Sequence, residues 1–160
     1  MTADADDVTS RLLSRRVVLA SGRLDIDLAD NVTAQLLALD AVADAPIELV
    51  VDLPEAELDP ALTLLDVCDV ISAPLTVLVS GRLVGAGVAL LTTHHRRLAR
   101  PHATLQLAQP RFAQSHGTAD QIARFAQEHS RRIGVLVERL SERTTRPTTI
   151  IADDMLRGVF

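Results

Sequence analysis

Aromatic residues are almost absent from this chain of 160 residues, which has three Phe and neither Tyr nor Trp. Proteins that bind single-stranded nucleic acids by base stacking depend on aromatic side chains, and a net charge of −5 opposes binding to a phosphate backbone. We therefore expect no nucleic-acid partner. The core has to be built from Leu, Val, Ile and Ala, which is feasible because 48% of the residues are apolar.

The chain also lacks a cysteine pair, a long apolar run and a recognisable targeting segment. Its one cysteine, Cys68, has no partner for an internal disulfide, which favours a reducing compartment. No apolar run approaches the ~20 residues of a membrane span, and the start, MTADADDVTS, is too polar for a signal peptide. These observations predict a cytoplasmic protein with no membrane partner. Neither a Walker loop nor an HExxH motif is present, so we expect no cofactor and no metal.

Apolar periodicity predicts strands that alternate with helices in a single domain. Strands are predicted over 15–22, 47–54, 75–81 and 103–110, and helices over 27–44, 58–72, 84–94 and 118–145. Such an alternation is typical of an α/β fold with a mostly parallel sheet. The acidic residues 1–11 are predicted to form a flexible arm, and residues 12–160 to form the domain. Residues 148–152 are compatible with a last strand or with the start of a helix.

The longest predicted helix begins at a capping box, Thr118-x-x-Gln121, and ends before Pro147. Gly134 lies inside this helix, where glycine costs about 1 kcal/mol relative to alanine, so it indicates close packing or a bend. The apolar side chains of the helix recur on one face and predict a packing stripe, formed by Ile122, Phe125, Ile133, Leu136, Val137 and Leu140.

The stretch GRLVGAGVALL, residues 81–91, is typical of a tight elbow between a strand and a helix. In several hydrolase families such an elbow holds a serine nucleophile, but here Gly85 and Ala86 stand in its place. Glycines in a short turn need no catalytic explanation, because close backbone packing requires them in many α/β folds. The elbow alone leaves both interpretations open.

Four segments, taken in order, resemble the Clp protease proteolytic subunit family from about residue 12 to residue 160. They are SGRLDIDLADNVTAQLLALDAVAD, VVDLPEAELDPALTLLDVC, SGRLVGAGVALL and PHATLQLAQP. The resemblance implies a ClpP/crotonase-like fold of stacked ββα units with a long protruding handle helix. It also implies subunits that close into rings, rings that pair through the handle helix, and a Ser, His and Asp triad.

The resemblance places this triad on residues that lack the required side chains. The serine, histidine and aspartate positions fall, in that order, on Gly85, Ala108 and Gly158. A serine peptidase needs a hydroxyl, a base that accepts its proton and a carboxylate that orients the base. The oxyanion-hole positions fall on Glu55, Ala56 and Ala86, and a carboxylate there opposes the stabilisation of a developing oxyanion.

Other side chains could form a displaced catalytic pair. The candidate groups are Ser80, Thr92, Thr93, His94, His95, Ser115 and His116, with Asp153 and Asp154 near the aspartate position. Adjacency in sequence does not bring a hydroxyl within reach of a base. We therefore expect residues 94–97 to form a solvated cationic face at a helix end, and Cys68 to be a packing residue.

The resemblance bears on partners as well. Members of that family dock their ATPase through pockets lined by tyrosines, whereas Glu48 and Val50 occupy those positions here, so a Clp ATPase would be engaged only indirectly. The leading hypothesis is a non-catalytic subunit that oligomerises, alone or with an active Clp proteolytic subunit, and modulates ATP-dependent proteolysis. One alternative is a crotonase-like enzyme that binds an acyl-CoA, with the Gly85 N–H polarising the thioester. The other is an active peptidase with a displaced triad.

Overall fold

The computed structural model describes residues 2–111 and 116–160, with side chains from Val8 onward. Strands and helices alternate along most of this length. In chain order they are α1 (Thr2–Ser14), β1 (Val17–Leu24), α2 (Ile26–Val42), β2 (Ile47–Ala56), α3 (Leu58–Val70), β3 (Leu75–Val84), a 3₁₀ helix (Gly85–Thr92), β4 (Arg96–Ala99), β5 (Thr104–Gln106), α4 (Ala119–Thr144) and α5 (Thr148–Arg157). Helix α1 was not predicted from the sequence.

All described strand pairs are parallel. The sheet has the order β1-β2-β3-β4, and β5 pairs with the end of β3 beyond the point where β4 stops. Parallel neighbours require crossovers, which α2 and α3 supply. The predicted α/β fold with a parallel sheet is therefore confirmed.

One face of the sheet forms the core. Alternate side chains of β2, namely Ile47, Leu49, Val51 and Leu53, are fully buried on it. Helices α2 and α3 cover this face with their apolar residues, among them Leu36 and Leu64. The opposite face carries the intervening residues, which are more exposed. The period of two along each strand thus separates a packed face from a partly open one.

The elbow prediction needs correction in its helical part. Residues predicted as an α-helix over 84–94 form a 3₁₀ helix that ends at Thr92, whose hydroxyl donates a hydrogen bond to the Ala89 carbonyl oxygen over 2.7 Å. Arg96 and Arg97 then pair with β3 as part of β4. The predicted cationic face was therefore wrong in its location at a helix end, because the backbone of these arginines belongs to the sheet, although their side chains are exposed as predicted.

The last two predicted elements also differ. The strand predicted over 103–110 is confined to Thr104–Gln106, because the N–H groups of Leu107 and Gln109 donate to the carbonyl oxygens of Val159 and Met155 rather than to a strand. Residues 148–152 begin helix α5.

Helix α4 begins at the predicted capping box. The Gln121 N–H donates to the Thr118 hydroxyl over 3.3 Å, and the Thr118 N–H donates to the Gln121 side chain over 2.9 Å. Only the second half of the predicted stripe is fully packed in this chain, through Leu136, Val137 and Leu140, whereas Ile122 and Ile133 are half-buried and Phe125 is 45% exposed. Among the described helices, none combines the length and apolar character needed to cross a membrane.

Arg16 closes the carboxyl end of α2, and its backbone has a φ of 59°. Its guanidinium donates hydrogen bonds to four carbonyl oxygens, those of Leu39, Ala43, Ala45 and Pro46, over 2.9 to 3.2 Å. The last carbonyl oxygens of a helix need such partners from outside it, and a cation at this end also interacts favourably with the helix dipole.

Replacing Arg16 with alanine is expected to lower the free energy of unfolding by about 1–2 kcal/mol, since most of the four carbonyls can rehydrate. Urea denaturation of Arg16→Ala measures this loss. The matched control is Arg15→Ala, because Arg15 is an exposed neighbour. Equal stability of the two variants would contradict the capping role.

Candidate active site

Strands β1, β2 and β3 all bend before their carboxyl ends. The register shifts between residues 21 and 23 and between residues 51 and 53. At the second bend, Asp52 Oδ1 accepts a hydrogen bond from the Arg82 N–H over 2.8 Å. A Cβ atom at Gly81 would collide with this carboxylate, so any larger residue there would displace the Asp52 side chain from Arg82. The register shifts thus lie a few residues before the carboxyl ends of the strands, at one edge of the sheet.

A cleft of about 510 Å³ lies at this edge. Its described lining consists of Arg23, Pro54, Glu55, Ala56, Glu57, Val84, Gly85, Gln106, Ala108, Gln109, Pro110 and Arg111. Parallel strands place ligand sites at their carboxyl ends, because the loops that follow them converge there. The cleft is therefore where the architecture favours a functional site.

Two of the three triad positions predicted from the sequence, Gly85 and Ala108, line this cleft, and the third, Gly158, lies beside the lining residue Gln106. Gly85 has a φ of 59°, and a Cβ atom built on it would lie 3.6 Å from the Ala108 carbonyl oxygen. On the other side, the Gln106 Nε2 donates to the Gly158 carbonyl oxygen over 3.2 Å. A Cβ atom on Gly158 would lie 3.4 Å from the same nitrogen. The fold thus brings residue 85 close to residue 108, and residue 158 close to residue 106.

The described lining holds no serine, threonine, cysteine, lysine or histidine. Its polar side chains are two arginines, two glutamates and two glutamines. Glutamine is neither a nucleophile nor a proton acceptor at neutral pH, and the arginines remain protonated. Within this described lining, no hydroxyl or thiol lies beside a base of the kind that nucleophilic catalysis requires.

An ion cluster occupies the rim where an oxyanion hole was considered. The Arg23 guanidinium donates to Glu57 Oε1 over 2.9 Å and lies 3.8 Å from Glu55 Oε1. The hydrogen bond to Glu57, with the charge of Glu55, raises the pKa of Arg23. Glu55 and Ala56 line the cleft, whereas Ala86 is fully buried behind Gly85. Carboxylates held by an arginine at this rim disfavour a second negative charge, such as an oxyanion.

The hydroxyl groups considered as displaced nucleophiles have structural partners elsewhere. Ser80 donates to the Val51 carbonyl oxygen over 3.2 Å, and Thr93 donates to Asp69 over 3.1 Å. Thr92 caps the 3₁₀ helix as described above. Ser115 lies outside the described residues.

The acidic and sulfur-bearing candidates are also engaged in structural roles. Asp153 pairs with Arg157, and Asp154 pairs with Arg146, both along or beside α5. Cys68 is fully buried, and desolvation raises the pKa of its thiol to about 12, as expected for a packing residue. Among the residues that the structure describes, no group of three or more His, Cys, Asp or Glu could hold a metal ion.

A polar joint that the sequence did not predict connects α3, α4 and the segment after the 3₁₀ helix. Asp69 accepts hydrogen bonds from Arg139 and Thr93, and His94 Nδ1 lies 3.4 Å away. Burial opposes the ionisation of Asp69, but the bonds from Arg139 and Thr93 outweigh it and lower its pKa. The pKa of the adjacent His95 is lowered by burial and by His94. No sequence motif marks this joint, since its members are far apart in the chain.

A family model described as Clp protease matches residues 1–160, the whole chain. This chain belongs to the Clp protease family. The resemblance inferred from the ordered segments is therefore confirmed.

Proposed function

We propose that this chain is a non-catalytic subunit of a cytoplasmic Clp protease, which assembles into rings and modulates ATP-dependent proteolysis by an active partner subunit. The observation that carries the proposal is the composition of the cleft. Gly85 and Ala108 line it, and its described lining supplies no hydroxyl or thiol nucleophile and no histidine base. The cleft then forms a catalytically inactive part of the wall of the degradation chamber. Peptide hydrolysis takes place on the partner subunit.

The open face of the sheet supports assembly. A row of apolar residues in register crosses all four main strands, formed by Leu19, Val50, Leu78 and Leu98. Leu19 and Leu98, at the two ends of the row, are 46% and 40% exposed. Parallel sheets are normally covered on both faces. In the proposal a neighbouring subunit of the ring supplies the missing layer.

Helix α4 supports the pairing of rings. Its second half packs on the body of the chain, whereas residues 119–132 are mostly exposed. A Cβ atom on Gly134 would meet nothing within 4 Å in this chain, so packing within the subunit does not explain this glycine. In the proposal, Gly134 lets the α4 helix of a facing ring approach closely.

Gly134→Ala separates the effect of this glycine on subunit stability from its effect on ring pairing. The isolated subunit should gain about 0.5–1 kcal/mol in its free energy of unfolding, because alanine is the better helix former and the added methyl group meets no atom. The fraction of paired rings, measured by native mass spectrometry, should fall. A variant that is more stable and pairs as well as the wild type would contradict the role given to Gly134.

The proposal as a whole is tested by co-expression with an active Clp proteolytic subunit from the same host. Native mass spectrometry should detect rings that contain both chains. Leu98→Glu should abolish these rings, because it places a charge in the apolar row. The matched control is Val42→Glu, since Val42 is 79% exposed at the end of α2 and distant from that row.

An assembly of this chain alone that ignores the active subunit would contradict the modulatory role. Thermal-shift measurements with an acyl-CoA would then test the crotonase-like alternative. Binding of the thioester in the cleft should in that case shift the amide resonance of Gly85, whose N–H group was considered for the thioester oxygen.

A further inference from the structure

A second cleft, of about 430 Å³, lies on the other side of the 3₁₀ helix and shares no lining residue with the first. Its walls come from the 3₁₀ helix, β5, α4 and the last two residues. They are mostly apolar, with contributions from Val88, Leu105, Leu107, Leu140 and Val159. The volume falls within the range of roughly 300–1,000 Å³ that is usual for small-molecule sites.

Two guanidiniums stand at one end of this apolar cleft. Arg97 Nη1 donates to the Leu91 carbonyl oxygen over 3.1 Å, and Arg143 Nε donates to the Thr92 carbonyl oxygen over 2.7 Å. Leu91 and Thr92 are consecutive residues, so both arginines are anchored at the same turn. Arg97 comes from β4 and Arg143 from α4, which means that the tertiary fold brings the two charges together.

Neither arginine is neutralised within the described part of the chain. The ion pairs found there do not include Arg97 or Arg143, and the cleft lining contains no Asp or Glu side chain. A third lining arginine, Arg146, already pairs with Asp154. Two positive charges at one end of an apolar cleft favour a ligand that joins an anionic group to an apolar body.

We propose that this cleft binds a medium-chain fatty carboxylate. The carboxylate accepts hydrogen bonds from Arg97 and Arg143, each of which has further N–H donors besides the one used by the backbone. The hydrocarbon tail lies against Val88, Leu107 and Leu140. A chain of roughly eight to ten carbons is small enough to enter a cleft of about 430 Å³. This inference does not depend on the proposed modulatory function.

Isothermal titration of the purified full chain with octanoate, far below its micelle concentration, tests the proposal. Octanoate should bind with a Kd below about 1 mM, whereas octan-1-ol and acetate should each bind about tenfold more weakly, because one lacks the charge and the other lacks the tail. Chemical-shift changes should include the amides of Leu105 and Leu107. Equal binding of octan-1-ol and octanoate would overturn the proposal, as would the absence of binding.

Three variants locate the site. Arg97→Gln and Arg143→Gln should weaken octanoate binding about ten- to a hundredfold and leave octan-1-ol binding unchanged. Leu105→Glu should abolish octanoate binding, and since Leu105 is 39% exposed it should fold normally. The matched control is Arg131→Gln, on an exposed part of α4 where Arg131 pairs with Glu128. If Arg143→Gln disturbs the turn, the test depends on Arg97→Gln and Leu105→Glu. The inference is overturned if both of these variants bind octanoate as tightly as the wild type does.

Discussion

A serine-directed fluorophosphonate is expected to label the wild-type chain at least about a thousandfold more slowly than it labels an active Clp proteolytic subunit. The reagent phosphonylates a serine oxygen whose proton a neighbouring base removes. Residue 85 carries no side chain, and residue 108 cannot accept a proton. Label incorporation over time, measured by intact mass, gives the rate.

A stepwise reconstruction sharpens this result. Gly85→Ser alone should remain nearly unlabelled, because it adds a hydroxyl without a base and places serine in a left-handed conformation at φ 59°. Adding Ala108→His should raise labelling by roughly a hundredfold, since residues 85 and 108 are neighbours across the cleft. Both variants keep Glu55 at the rim, so peptide hydrolysis should stay low. Stoichiometric labelling of the wild type would refute the non-catalytic role, and peptide mapping would name the responsible residue.

The order of strands and helices could be predicted from the sequence because it depends on local periodicity. The buried strands β2 and β3 carry continuous apolar patterns, and α2 and α3 repeat with the helical period between them. The 3₁₀ helix could not be distinguished from an α-helix, because the run from Val88 to Leu91 is apolar in either geometry. Strand β4 was missed, since RRLA has no apolar pattern of its own and is a strand only through its pairing with β3.

The first cleft could be predicted only through the family resemblance. Nothing local to Gly85 or Ala108 indicates that both line one cleft, or that Gly158 lies beside Gln106, because glycine and alanine carry no chemistry of their own. Their spatial grouping depends on the hydrogen bonds from residues 106–109 to the end of the chain.

Three polar features could not be predicted from the sequence for a different reason. They are the Arg16 cap, the Asp69 joint and the pair formed by Arg97 and Arg143. Each consists of charged side chains whose partners are backbone carbonyls or residues distant in the chain. An arginine that caps a helix and one that faces solvent have the same local sequence context. Tertiary contacts alone distinguish them.

Removing the Asp69 carboxylate should produce the largest loss of stability among the single polar substitutions considered. Asp69→Ala leaves Arg139, Thr93 and His94 without their common acceptor at the joint between α3 and α4. The free energy of unfolding should fall by about 2–3 kcal/mol, which reflects the loss of charge-assisted hydrogen bonds in a partly buried site. Urea denaturation measures the loss, and hydrogen exchange should show reduced protection in the second half of α4.

Asp66→Ala is the matched control, because Asp66 is an exposed acid one turn earlier on the same helix. It should change stability by less than about 0.5 kcal/mol. Losses of similar size in the two variants would show that Asp69 stabilises the fold only as one negative charge among others, and not through its hydrogen bonds to Arg139 and Thr93.

The pH dependence of the Asp69 contribution follows from the direction of its pKa shift. Its pKa is lower in the folded chain than in the unfolded chain, so the unfolded state takes up the proton first as the solution is acidified. The stabilisation is complete above the ordinary aspartate pKa of about 3.9 and is lost as the pH falls through the folded pKa. The contribution of the Asp69 charge to stability should therefore be constant down to about pH 5 and shrink below that. The same charge favours protonation of His95, so wild type and Asp69→Asn also differ where His95 takes up its proton, and the Asp69 contribution is read from the change below about pH 5. A difference that grew toward low pH would mean that the charge of Asp69 opposes folding, and that α4 is held to α3 by its apolar residues alone.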